Sequence, residues 1–169
     1  MNAAKRSALA LALSLFAAGC GFQLRGTADL PFDKLYMPPA NSPGIALDLR
    51  RNIQSGTHTQ VVDDAKTADA VLEFAQELRE KVILSLASTG RVREYQLRYR
   101  VAFRVHDGKG LEFVPMNALQ LTRDVTFNDA SVLSKESEEQ QLYRDMQRDM
   151  VQQIMSVLAA ARRPAPAAK

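Results

Sequence analysis

Between Tyr95 and His106 the chain alternates without a break. Tyr95, Leu97, Tyr99, Val101, Phe103 and Val105 hold one parity, and Gln96, Arg98, Arg100, Ala102, Arg104 and His106 hold the other. Successive side chains of a strand point to opposite faces, so this run predicts a strand with one buried face and one wet face. Such a strand needs apolar cover on one side only, and the rest of the fold must supply it.

The neighbouring segments supply partners for it. Ser88-Thr89-Gly90 signals the bend of a hairpin. Upstream of that bend, Leu72, Phe74 and Leu78 share one parity with Gln76 interrupting, and Val82 to Leu86 is more continuously apolar. Downstream, Asp107-Gly108-Lys109-Gly110 predicts the next turn. After an irregular Val114-Pro115, a third strand carries Leu119, Leu121, Val125 and Phe127 on one parity, broken by Arg123. Leu35 to Met37 and Thr59 to Val62 are shorter strand candidates.

Two segments carry a helical period instead. Ile45, Leu49 and Ile53 recur every four residues, with Ser42 placed to cap the helix, Pro43 at its first position and Gly56 as its stop. After a loop over Asn128 to Ser134, a longer helix from Lys135 onward repeats Leu142, Met146, Met150, Ile154 and Leu158, widened by Tyr143, Val151 and Val157. Each helix has a single apolar stripe and each strand a single apolar parity. The prediction is an α+β two-layer sandwich, with two amphipathic helices packed on one face of a mixed, mostly antiparallel sheet of about four strands and the other face free.

A chain of 169 residues has room for a leader and one domain. Residues 1–19 read as a signal peptide: Lys5 and Arg6, an apolar run from Ala8 to Ala18, then small residues. The run is too short to span a bilayer. The one cysteine, Cys20, follows Ala17-Ala18-Gly19 directly, an arrangement that resembles the bacterial lipobox, with Ala17 where Leu is more usual. The lipobox resemblance implies cleavage before Cys20, acylation of its thiol and of the new amino end, and a membrane anchor. Each buried methylene adds about 0.8 kcal/mol, so several acyl chains hold firmly where one is marginal. Gly21 in the next position resembles the outer-membrane sorting class of lipoproteins. Residues 20–33 are expected to form a lipidated tether, 34–162 a single domain, and 163–169, rich in Pro and Ala, a disordered tail.

Two of the 22 basic residues, Lys5 and Arg6, lie in the leader, which leaves 20 against 19 acids. A balance this near neutral, without a basic block, gives no electrostatic case for nucleic acid. One cysteine excludes a disulfide framework and a multi-thiolate metal site, and His58 and His106, both in polar turn contexts, make a poor ligand or catalytic pair. No Gly-rich phosphate loop or nucleophile elbow is present. The expectation is a non-enzyme with no cofactor. Glu136, Glu138 and Glu139 suit the first turns of a helix, where acids are favoured by its dipole. Five guanidiniums, on Arg91, Arg93, Arg98, Arg100 and Arg104, leave two readings open: a bidentate site for a phosphorylated ligand, or a solvated face paired with acids of neighbouring strands.

Three stretches together resemble the LptE family of lipopolysaccharide-assembly lipoproteins. They are Cys20-Gly21-Phe22-Gln23-Leu24-Arg25-Gly26, the strand start Glu94-Tyr95-Gln96-Leu97, and Phe127-Asn128-Asp129 leading to Lys135 and a last helix containing Tyr143. The resemblance implies two helices on a four-stranded sheet, placement as a plug inside the outer-membrane barrel LptD, assistance in that barrel's folding, and lipopolysaccharide binding with no covalent step. It also implies that Lys135 matches a family lysine linked to lipopolysaccharide. The family's basic turn position falls on Ser88, so Arg91 and Arg93 are the nearest basic residues. The competing reading is a periplasmic adaptor lipoprotein serving another envelope transporter or enzyme.

Overall fold

The computed structural model describes residues 29–38, 44–126 and 132–161. Cys20, the leader and tail expectations, and the Ser42 and Pro43 assignments lie outside the described residues. Within them the chain forms strand β1 (Lys34–Tyr36), helix α1 (Ile45–Gly56), strands β2 (Gln60–Val62), β3 (Ala70–Leu86), β4 (Val92–His106) and β5 (Glu112–Thr126), and helix α2 (Val132–Ala160). One sheet runs in the order β2-β1-β3-β4-β5. The first two strands pair in parallel with each other, and β1 pairs in parallel with the start of β3. Strands β3, β4 and β5 form an antiparallel meander. This is the expected α+β sandwich, with five strands where about four were expected.

The inner face of β4 is the centre of the core. Leu97, Tyr99, Val101, Phe103 and Val105 are all fully buried. Against them pack Ile45, Leu49 and Ile53 of α1 and Met146, Met150, Ile154 and Leu158 of α2, so the four-residue repeats mark the covered stripes of both helices. Each such side chain contributes about 1.5–3 kcal/mol by leaving water. Phe32, inside the segment expected to act as tether, is also buried and stacks obliquely on Phe113 at 6.0 Å between ring centres.

Local chemistry differs from expectation at both helices. Gly44, in extended conformation, occupies the cap of α1 without a side-chain bond. Gly56 is still helical, and Thr57 ends the helix by directing both its backbone N–H (3.1 Å) and its Oγ1 (2.8 Å) to the carbonyl of Ile53. Helix α2 begins at Val132, so Lys135 sits one turn inside it and the last residues of the expected loop are helical.

The largest departure is in β3. Leu72 pairs with Val105 and Phe74 with Phe103, but the next pair is Gln76 with Ala102, which makes Ala75 an extra residue. A bulge of one residue reverses the faces of everything after it. Leu78 therefore pairs with Arg100 on the outer face, whereas Glu77, Arg79, Lys81 and Ile83 pair with Val101, Tyr99, Leu97 and Tyr95 on the helix side. The common parity expected for Leu72, Phe74 and Leu78 does not hold. A second irregularity separates the pairs Phe103–Asn117 and Val105–Val114, and it accommodates Pro115 on the edge strand, where a missing N–H is tolerated.

Candidate functional site

The antiparallel pair Glu94–Thr126 brings the β3–β4 turn and the end of β5 to the same end of the sheet. The turn closes through Ala87 N–H to the carbonyl of Arg91 at 2.7 Å, with Gly90 at a φ of 80°, where only glycine is unstrained. Helix α2 starts above that end. Beneath its first turns lies a small cavity of about 90 Å³ with a floor of Tyr95, Leu97 and Val125 and a rim of Lys81, Lys135, Glu136 and Glu139.

Both lysines are held. Lys135 Nζ lies 2.7 Å from Glu138 Oε2, one helical turn away. Lys81 Nζ lies 2.5 Å from Glu139 Oε2 and 4.4 Å from the centre of the Tyr95 ring. An aromatic face under a cation fixes its position as well as favouring its charge. Lys81 reaches this cavity because the bulge in β3 turned it to the helix side. Its neighbour Arg79 lies over the rings of Tyr99 (5.2 Å) and Tyr143 (5.6 Å), and Tyr143 Oη donates to the carbonyl of Glu80 at 2.8 Å, tying α2 to β3 just beyond the cavity. Burial, followed by the charge of Glu139, holds the Tyr143 hydroxyl above the usual phenol range.

Of the residues singled out from the sequence, Lys135 lines the cavity, whereas Arg91, at the adjoining turn, and Arg93, at the start of β4, are exposed and are not part of its lining. Arg93 falls where the ladder steps from Glu94 to Val92. Lys81 is the residue that periodicity missed, since no feature of the sequence marks the bulge.

The remaining arginines form a ladder across the outer face. Arg104 pairs with Glu73 at 2.6 Å, Arg100 lies 3.6 Å from Glu80 and donates to Gln120 at 3.1 Å, and Arg98 donates to Gln96 at 2.8 Å. The solvated, paired reading of this face therefore holds for Arg100 and Arg104, while Arg98 bonds an amide. Arg123, which interrupts the stripe of β5, reaches Asp149 of α2 at 3.0 Å. At the opposite end of β4, His106 Nδ1 accepts from Gly108 N–H at 2.9 Å, and its Nε2 stands 3.3 Å from Glu73, close enough for an ion pair but not aligned as a hydrogen bond. His58 is exposed and in a different part of the fold. Among the described residues, no group of three or more His, Cys, Asp or Glu is arranged to hold a metal, and no helix is long and apolar enough to cross a membrane.

Comparison with known proteins bears on the whole domain. The solution structure of an uncharacterised lipoprotein B from Nitrosomonas europaea is 43% identical, with a TM-score of 0.68 over 80% of this chain and 88% of that one. The crystal structure of a minor lipoprotein from Acinetobacter baumannii shares the fold at 24% identity, with a TM-score of 0.62 over 78% of this chain and 93% of that one. A protein of Yersinia pestis named LPS-assembly lipoprotein LptE is 30% identical over 148 residues, 85% of this chain and 70% of its own length. The family model for lipopolysaccharide assembly, LptE, matches residues 32–158, from the buried Phe32 to the last buried leucine of α2. With that span and the fold in agreement, the chain belongs to the LptE family of lipopolysaccharide-assembly lipoproteins.

Proposed function

We propose that this lipoprotein is held at the outer membrane by acyl chains on Cys20, seats as a plug in the LptD barrel, assists that barrel's assembly, and binds lipopolysaccharide in transit, with no covalent step. Family membership supports the assembly role. The observation that carries the ligand reading is the cavity under the start of α2, where Lys135 stands beside an apolar floor of Tyr95, Leu97 and Val125. Lipid A combines phosphates with acyl chains, and this pocket offers a cation beside apolar surface. Arg91 on the adjoining turn and Arg93 at the start of β4, both exposed, extend the positive charge outward.

Two measurements test the reading. Solubilised lipoprotein should co-purify with a large barrel protein, and recovery with a different envelope complex would favour the adaptor reading. Reversal of Lys135, Arg91 and Arg93 to Glu should weaken lipopolysaccharide binding tenfold or more, as expected when charge-assisted contacts worth about 1.5–3 kcal/mol are lost. Unfolding should change little, since Arg91 and Arg93 are exposed and Lys135 pairs with a residue one turn away on its own helix. Unchanged affinity in an intact fold would remove these residues from the site.

A further inference from the structure

The cavity holds more than Lys135. A second ammonium, on Lys81 of β3, faces it from across the two layers, and each lysine already has a carboxylate in contact, Glu138 on Lys135 and Glu139 on Lys81. We propose that Lys81 is the second cationic contact for a phosphorylated amphiphile in this pocket, and that Glu138 and Glu139 are resident counterions that the ligand's phosphate displaces. The inference rests on the ligand reading given above and adds to it a binding residue and a means of control.

The geometry supports exchange rather than a fixed structural pair. The Lys81 and Glu139 side chains are 39% and 25% exposed, and those of Lys135 and Glu138 are 25% and 49% exposed, so water and ligand reach both pairs. Ion pairs this accessible are weak, and a phosphate with up to two charges competes well against a single carboxylate. Lys81 is also prepared for the exchange. The Tyr95 ring 4.4 Å beneath its ammonium is a neutral support that remains when Glu139 leaves. Both carboxylates belong to α2, as does Lys135, whereas Lys81 belongs to β3, so a phosphate bridging the two lysines joins helix to sheet as the Glu139–Lys81 pair now does. A volume of about 90 Å³ suits one phosphoryl group or a few methylenes, and it leaves the bulk of a glycolipid outside the pocket.

The test uses the full acylated chain in detergent, titrated with diphosphorylated lipid A, with its dephosphorylated form and with inorganic phosphate. Lys81→Gln should lower affinity for the diphosphorylated lipid about tenfold, and Lys81→Arg should retain it within about threefold, one charge-assisted contact being the difference. Glu139→Gln and Glu138→Gln remove a competitor and no cation, so each should raise affinity, by about threefold. A lysine of merely structural importance would not produce that gain. Lipid A without phosphate should bind each variant alike, and inorganic phosphate alone should compete. Thermal unfolding of each variant accompanies the titrations, and the glutamate variants decide the matter if Lys81→Gln is poorly folded. Binding by the wild type that is unaffected in Lys81→Gln and lost in the Arg91 and Arg93 reversals overturns this inference and leaves the ligand reading standing. Loss of affinity in Glu138→Gln and Glu139→Gln overturns the counterion role. No binding of lipid A by the wild type defeats the ligand reading itself.

Discussion

Tyr99 Oη donates a 2.6 Å hydrogen bond to Glu77 Oε1 on the neighbouring strand, and Glu77 faces the helices at this point only because of the bulge at Ala75. The ring is fully buried. Burial, reinforced by the adjacent Glu77 charge, raises the phenol well above its ordinary range, so Tyr99 stays a donor at any physiological pH. Tyr99→Phe keeps the packing and removes the donor. The expected loss is about 1.5–2 kcal/mol, the lower part of the range for bonds to charged groups, because Arg79 lies 4.0 Å from the same carboxylate and water reaches it. Urea unfolding of the variant measures it, and a stability equal to wild type would mean that water replaces the bond at no loss.

Leu49 of α1 is completely buried, whereas Leu86 at the hairpin tip is 57% exposed. Truncating the first leaves a cavity among α1, α2 and β4, so Leu49→Ala should destabilise by about 2–5 kcal/mol. Leu86→Ala should stay within about 0.5 kcal/mol of wild type. Similar losses at both positions would contradict the described core.

Glu73 makes the outer face sensitive to acid. A hydrogen bond from Arg104, together with the nearby His106, holds its carboxyl below the ordinary carboxylate range, against a smaller opposing effect of burial. A carboxylate whose pKa is lowered by folding contributes stability that is present above the unfolded value and lost as pH falls through the folded one. The difference in melting temperature between wild type and Glu73→Gln should therefore shrink as pH falls below about 4.5. A difference that persists unchanged at pH 3 would assign the effect to packing instead of charge.

Cys20 is expected to be the first residue of the mature protein and to carry the acyl chains. Intact mass spectrometry of the protein from membranes should give a mass beginning at Cys20 plus a diacylglyceryl group and an amide-linked acyl chain. Cys20→Ser should leave an unprocessed chain. An unmodified thiol, or a mature end elsewhere, would refute the anchor.

The sequence by itself determined the layers. The period of two in β4 and the period of four in α1 and α2 are physical properties of one segment each, and they mark the buried residues whatever the segment packs against. The turns at Gly90 and Gly108 were legible for the same reason, since a positive φ is a local demand. Tertiary structure alone decided which face the second half of β3 presents. A bulge is defined by counting one strand against its partner, so the extra residue at Ala75 has no signature within β3 itself. Its consequence is that Lys81, which parity assigned to no site, stands over Tyr95 beside the same cavity as Lys135, while Leu78 lies on the outer face. The pairings of Arg104 with Glu73 and of Arg123 with Asp149 join residues 31 and 26 positions apart, and only strand register and helix docking bring such charges within reach.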